Sequence, residues 1–316
     1  MSELTIATFI SNTEKYNNNF FDFCTLLGKK INIDIIIFTD KKLNIKNNNV
    51  RQIIQKNTTK YKRIIELIKI CNSENILCID NDITIYFNEL KKFVNDFILG
   101  DSDLAWGKIK AKHTQGLIPN LIRIDKNLSH DYIRPFLWKM NIGVSIPGQI
   151  FIMKKKNFIN NLPDKDTVYD DLTLGMIARK CNLKVYYSKS TLGEELPKEN
   201  FTNLIIQRKR WAKGFAQSIE TSKNIGMLKF VIIHGFMYHL LWIVYYLILI
   251  LIGMKSKEIS IIFFLLVGIF LAEFSLKDFF YAILYMIIFP LVHVIWGIEF
   301  NKNIFNMKGQ FNKIQN

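Results

Sequence analysis

Four short stretches carry residue types whose spacing could do chemistry. In ENILCIDNDITIYF, residues 74–87, Asp80 and Asp82 interrupt an apolar run. Ionised carboxylates are costly to bury unless positive charge meets them. Two acids one residue apart at a strand end can turn towards one divalent cation; Mg2+ and Mn2+ take oxygen ligands and commonly bridge carboxylates to phosphates. The plainer alternative is a polar turn closing the strand. In TVYDDLTLGMIARKCNLKVYY, residues 167–187, Asp170 and Asp171 open a stretch with helical spacing. One acid at a helix start is an ordinary cap, favoured by the dipole. A second, adjacent acid has less structural need and suits a general base facing a cleft. In Gln207-Arg208-Lys209-Arg210-Trp211, Gln207 shares a helix face with Arg210 and Trp211. Arg210 suits a diphosphate, and Trp211 suits a sugar ring or a membrane interface; a basic interfacial helix is the competing reading. In SIPGQIFIMKKKNF, residues 145–158, Pro147-Gly148 marks a turn, and Gly148 lets a ligand approach the backbone. A plain loop before a strand explains it equally.

The N-terminal half supplies elements able to position these groups. LTIATFI (4–10) and IDIIIFTD (33–40) read as buried strands, the second ending in Asp40, and NILCIDND reads as a third. Helical spacing occurs between them, over 19–30 and 60–72. This alternation predicts an α/β domain with a largely parallel sheet, which binds ligands at the carboxyl ends of its strands. Asp40 and Asp80 both fall at such ends. The asparagine runs at 17–19 and 47–49 read as loops carrying a compositional bias.

The composition changes near residue 228. Apolar runs follow at 228–254, 259–274 and 278–300, the last interrupted by Pro290; a bilayer crossing takes about 20 apolar residues. Two or three spans are expected, with buried helices of a soluble protein as the alternative. Lys and Arg before the first run favour a cytoplasmic N-terminal domain. The basic tail, 301–316, favours the same side, which three spans would not give. His234 and His239, both in the first run, read as polar residues packed inside a helix bundle. No signal-peptide pattern opens the chain, and Cys24, Cys71, Cys78 and Cys181 form no CxxC pair, which argues against a disulfide framework or a zinc site. The net charge of +15 suits an anionic partner. The basic residues gather beside the apolar region and no nucleic-acid motif is present, so nucleic acid is not the expected partner.

Taken in order, IDIIIFTD, ILCIDND, PGQIFIMKKKNF, YDDLTLG and GEELPKENFTNLIIQRKRW make the chain resemble the family 2 glycosyltransferases, the membrane-attached inverting enzymes that include cellulose, chitin and hyaluronan synthases. The resemblance covers roughly residues 4–215. It implies a GT-A nucleotide-diphospho-sugar transferase domain (1–206), an interfacial QxxRW region (207–227), transmembrane helices (228–300) and a basic tail. It implies that Asp40 contacts the base or ribose of a UDP-sugar, with Thr8 and Phe9, placed after the first strand, lining the base. The family's Pro-Thr-Tyr-Asn is replaced there by ATFISNTEKY. Lys60 falls where the family has a Gly-Lys pair, without the glycine. By the same resemblance Asp80 and Asp82 hold the diphosphate, through Mg2+ or Mn2+ at Asp82. Gly148, Gln149, Asp170, Gln207 and Trp211 border the acceptor. Asp171 is the base, and Arg210 meets the donor diphosphate.

The implied function is an inverting transfer from a UDP-hexose or UDP-N-acetylhexosamine to a lipid-linked or growing glycan acceptor at the cell membrane, giving a β-glycosidic bond, with membrane lipids as partners. One alternative is a processive polysaccharide synthase working as a homo-oligomer. Another, of a different class, is a nonenzymatic membrane-binding module.

Overall fold

The computed structural model describes residues 2–11, 17–45, 50–164 and 166–314, with side chains described as far as 306. The asparagine run at 47–49, residues 12–16 of the segment replacing the family motif, and the last two residues of the tail lie outside them.

In chain order the elements are β1 (Leu4–Ile10), α1 (Asn18–Gly28), β2 (Ile33–Thr39), β3 (Val50–Ile54), α2 (Lys60–Ile70), β4 (Asn75–Asp80), β5 (Ile83–Ile85), α3 (Phe87–Leu99) and β6 (Leu104–Ala111). There follow α4 (Leu117–Asn127), a π-helical turn (Leu128–Ile133) and α5 (Arg134–Lys139), then β7 (Ile150–Lys154), α6 (Asp170–Lys180) and β8 (Val185–Glu195). The chain ends in α7 (Phe201–Asn224), α8 (Leu228–His239), α9 (Leu241–Lys255), α10 (Lys257–Leu271) and α11 (Leu276–Ile314). Two compact units result: residues 1–110, 143–196 and 224–227 form the first, and 111–142, 197–223 and 228–316 the second.

The first unit holds an eight-stranded sheet in the order β3-β2-β1-β4-β7-β6-β8-β5. β1 lies between β2 and β4, parallel to both, and β2 pairs with β3 in the same sense. Burial on both faces explains why β1, buried along its whole length, is mainly apolar rather than alternating with charge. The other half departs from the expected parallel sheet: β7 runs antiparallel to β4 and β6, and β5 antiparallel to β8. The run ENILCIDNDITIYF is therefore not one strand. It leaves the middle of the sheet at Asp80, turns through Asn81-Asp82, and re-enters as the edge strand β5. One face of the sheet is covered by α1 and α3, whose Phe20, Phe23, Leu27, Leu90, Phe93 and Phe97 join the inward side chains of β1, β2 and β4.

In the second unit the first apolar run is not one straight helix, because α8 and α9 meet at a 54° bend. α10 has 15 residues. Among the described residues only α11, over Leu276–Asn306, is by itself long and apolar enough to cross a membrane, and the bent pair could form a second span. The expectation of two or three spans is thus reduced to one or two such candidates among the described residues. Large apolar side chains lie exposed along these helices, including Leu251, Met254, Ile261, Leu266, Leu291 and Ile298. The tail continues α11 as far as Ile314.

Gly175 of α6 shows how tightly the first unit is closed around the helix that carries the acidic pair. A Cβ there would lie 2.3 Å from the carbonyl oxygen and 2.5 Å from the carbonyl carbon of Val144, backbone atoms with no room to yield. Gly175→Ala should therefore destabilise the protein by about 3 kcal/mol, the upper end of overpacking costs. A thermal midpoint equal to that of the unmodified protein would contradict this packing.

Candidate active site

Lys60 is the first residue of α2, whose N-cap Thr59 accepts from the backbone N–H of Lys62. Its ammonium lies 2.6 Å from Asp80 Oδ1 and 3.3 Å from Asp170 Oδ2, donates to the Gly148 carbonyl at 2.6 Å, and sits over the Phe9 ring at 5.6 Å. The cation that meets the strand-end acid is therefore a lysine of the chain itself. Asp80 and Asp170 join it from distant parts of the sequence, one from the carboxyl end of β4 and the other from the start of α6.

The acidic pair is held without serving as an N-cap. Tyr169 occupies that position, and Asp170 and Asp171 form the first turn, where the helix dipole favours negative charge. The N–H of Leu172 donates to Asp171 Oδ1 at 2.8 Å. Gly148 is packed against the pair: a Cβ there would lie 3.3 Å from Asp171 Cβ, and 3.6 Å from both Asp170 Oδ2 and Lys60 Nζ. Next to it, Gln149 accepts from the Asp80 N–H at 2.8 Å and donates from Nε2 to Glu195 at 3.1 Å. Asp82 is exposed, whereas Asn81 between the two acids is buried.

Asn81 is fixed by Asn17, the N-cap of α1. The Asn17 N–H donates to Asn81 Oδ1 at 3.0 Å, and Asn17 Nδ2 donates to the carbonyls of Asn81 and Ile83 at 3.0 and 2.9 Å. Asn19 Oδ1 accepts from the Ile85 N–H. The first asparagine run is thus a set of specific clamps on the Asp80–Asp82 turn, not a loop of biased composition. The only sequence signal for it was an Asn immediately before a helix.

Of the remaining expected residues, Phe9 joins the cluster beneath the Lys60 ammonium. Asp40 is bound by Arg63 at 2.7 Å, and Arg63 also donates to the carbonyls of Ile10 and Gln55. Thr8 and Phe9 lie within β1, not after it. Thr8 is enclosed between β2 and β4, while Phe9 stacks on Phe38 with centroids 5.8 Å apart. Gln207, Arg210 and Trp211 lie on α7 in the second unit; Gln207 and Trp211 are half-buried and Arg210 is exposed. The arginine buried there is Arg208, one of the motif's unassigned positions. It pairs with Asp125 at 2.6 Å and lies 4.3 Å over the Trp211 ring, while Tyr285 donates to the other oxygen of Asp125 at 3.0 Å. Neither Arg208 nor Asp125 was singled out by sequence.

The cluster carries more negative than positive charge. Burial, then the carboxylates Asp82 and Asp170, push the Asp80 carboxyl up to about 7 against the pull of Lys60. Burial alone would lower Lys60, but Asp170 and Asp80 outweigh it and hold the ammonium above its usual range. Among the described residues no three His, Cys, Asp or Glu side chains are grouped to hold a metal ion. Two carboxylates at one turn, one of them exposed, fit the alternative in which Mg2+ or Mn2+ completes its shell with substrate phosphate oxygens.

The fold is GT-A-like. A mannosyltransferase from Pyrobaculum calidifontis, determined with GDP-Man and Mn2+, superposes with a TM-score of 0.54 at 9% identity, over 95% of this chain and 87% of that one. Glucosyl-3-phosphoglycerate synthase from Mycobacterium tuberculosis, determined with phosphoglyceric acid, superposes at 0.50 and 10% identity, over 69% of this chain and 79% of that one. Residues 76–289, more than half of the chain, match the family described as Glycosyl transferase family group 2. The chain belongs to this family and is a glycosyltransferase. No curated protein sequence matches it.

The titration of Asp80 has a consequence for stability. Its folded value lies above the ordinary 3.8, so between about pH 4 and 7 the folded state binds more protons than the unfolded one. In metal-free buffer, stability should fall as pH rises through this window, and Asp80→Asn should flatten that part of the profile. Thermal midpoints measured from pH 4 to 8 on both proteins check the sign; parallel profiles would contradict it.

Proposed function

We propose that the chain is an inverting transferase that moves a sugar from a UDP-hexose or UDP-N-acetylhexosamine to a lipid-linked or growing glycan acceptor at a membrane, with its catalytic domain on the cytoplasmic side. The observation that carries this reading is the cluster in which Lys60 joins the strand-end Asp80 to the acidic pair of α6, beside Gly148. It supports reading the Asp80–Asp82 turn as the diphosphate side and the α6 acidic pair as the source of the base. The likeness to a mannosyltransferase determined with GDP-Man and Mn2+ supports a nucleotide sugar and a divalent ion. The exposed apolar side chains of α8–α11 support a membrane location, since soluble proteins rarely show apolar patches of that extent. The working map is a catalytic domain over 1–206, an interfacial helix over 207–227, a membrane region over 228–300 and a basic tail over 301–316.

The residues divide the work as follows. Asp80 and Asp82 would hold Mg2+ or Mn2+, which when bound offsets the charge developing on the leaving diphosphate. Lys60 fixes Asp80 and adds positive charge at the same place. Asp171 takes the proton from the acceptor hydroxyl as its oxygen attacks the anomeric carbon opposite the leaving UDP, so one displacement inverts configuration. Asp170, Gly148 and Gln149 line the acceptor side. By their motif alone, Arg210 serves the donor diphosphate, and Gln207 and Trp211 the acceptor. Asp40, Thr8 and Phe9 are assigned to the donor base on the same ground, Asp40 acting with Arg63 already bound.

The test is release of nucleoside diphosphate by the detergent-purified chain across a panel of UDP- and GDP-sugars, with Mn2+, Mg2+ or EDTA and with membrane lipids added. Metal-dependent release from a UDP-sugar is expected; release from a GDP-sugar alone would replace the donor assignment, and absence of any nucleotide binding would remove the transferase reading of this site. Asp171→Asn should keep donor binding and lose transfer by about 100-fold or more, the scale of a missing general base. Normal turnover in that variant would exclude Asp171 as the base. Asp82→Ala should lose the metal-dependent part of donor binding, and an Mn2+ titration identical to that of the unmodified chain would refute its assignment.

A further inference from the structure

The helical segment from α4 through the π-turn into α5 carries Lys126, His130 and Arg134. The backbone is helical across both junctions, so residues four apart share one face. All three are more than nine-tenths buried, at 8, 6 and 9% exposure. Basic side chains are seldom enclosed to this degree without a paired charge. Lys126 and His130 take part in interactions of their own. Arg134 differs: its Nε and Nη1 are buried with no hydrogen-bond partner. Of the neighbouring acids, Asp125 is committed to Arg208 and Tyr285, while Asp131 has an interaction of its own and its Oδ1 is buried without a hydrogen-bond partner. An enclosed guanidinium left unpaired costs several kcal/mol. An anion would offset that cost, and the planar fork of arginine matches phosphate oxygens two at a time. π-turns inside α-helices also recur at functional sites.

The surroundings indicate what brings the phosphate. In the same unit, Ser129 of the π-turn meets the hydroxyl of Tyr238 in α8 at 3.3 Å, and Tyr132 packs on Phe270 of α10 with centroids 4.7 Å apart. Arg134 is within electrostatic reach of His234, also in α8. Both helices expose apolar side chains, Ile232 and Phe236 on α8, Ile261, Ile262 and Leu265 on α10. A headgroup at Arg134 could therefore lay its hydrocarbon chain along them. We propose that Arg134, at the end of the Lys126–His130–Arg134 face, binds the phosphate of a membrane lipid. This rests on the membrane reading above for the source of the phosphate, not for the site itself.

The test uses the full chain in a neutral detergent and follows its thermal midpoint. Dioctanoyl phosphatidic acid is the probe, dioctanoylglycerol the uncharged control, and inorganic phosphate the soluble one. The midpoint should rise with phosphatidic acid, should not respond to dioctanoylglycerol, and should respond less to inorganic phosphate at equal concentration. Arg134→Gln should abolish the rise. Where that variant does not fold, Arg134→Lys decides: it keeps the charge but loses the fork, and a weakening of about tenfold in phosphatidic acid affinity is expected from the loss of one charge-assisted hydrogen bond. A rise that persists in Arg134→Gln, unchanged affinity in Arg134→Lys, or no rise in the unmodified chain overturns the site. An equal rise with inorganic phosphate overturns the lipid assignment. Recovery of the unmodified chain with the membrane fraction of expressing cells tests the membrane reading separately.

Discussion

One ammonium group organises the first unit's functional end. Lys60 is contacted by the strand-end Asp80, by the start of α6 through Asp170, by the turn before β7 through the Gly148 carbonyl, and by the Phe9 ring of β1. Without a positive charge there, Asp80, Asp82 and Asp170 would repel one another in a partly enclosed space, and the elements carrying them would have reason to separate. With it, the cluster is held together yet keeps an excess of negative charge. On the function proposed above, a divalent cation at Asp80 and Asp82 would offset that excess. The tight seat of Gly148 follows from the same convergence, because a side chain at that position would press on Asp171.

Much of this was legible in the sequence, for identifiable reasons. β1, β2 and β4 are buried on both faces, so they read as unbroken apolar runs, and α2 reads from its helical spacing. The acids stood out because carboxylates are out of place in such runs. The antiparallel half of the sheet was not legible: nothing local in PGQIFIMKKKNF says which neighbour that strand will pair with, and the pairing with β4 joins residues far apart in the chain. The bend between α8 and α9 was hidden for a different reason. Apolar composition records that a run avoids water, but not where its helix breaks.

The polar partners were the least legible part. Arg63 holds Asp40, and Asp125 holds Arg208, across separations that no motif spans. Arg208 was passed over because it occupies a variable position of a pattern whose named arginine is Arg210. The structure reverses their environments: Arg208 is enclosed, paired and stacked on Trp211, while Arg210 is exposed. A motif names a few positions of a helix; it leaves out the one that stacks on its tryptophan ring.

The clamp between Asn17 and Asn81 bears on how this sequence can change over time. The middle letter of the Asp80–Asp82 motif is ordinarily treated as free, yet here it is buried and bonded through both side chain and backbone to a residue 64 positions earlier. Replacing Asn81 removes the side-chain acceptor of the Asn17 N–H, and replacing Asn17 removes the Nδ2 donor shared by the Asn81 and Ile83 carbonyls. Each side chain serves the other residue's backbone, so each position is constrained in its own right, and change within the three-letter motif is limited at its middle position as well as at its two acids.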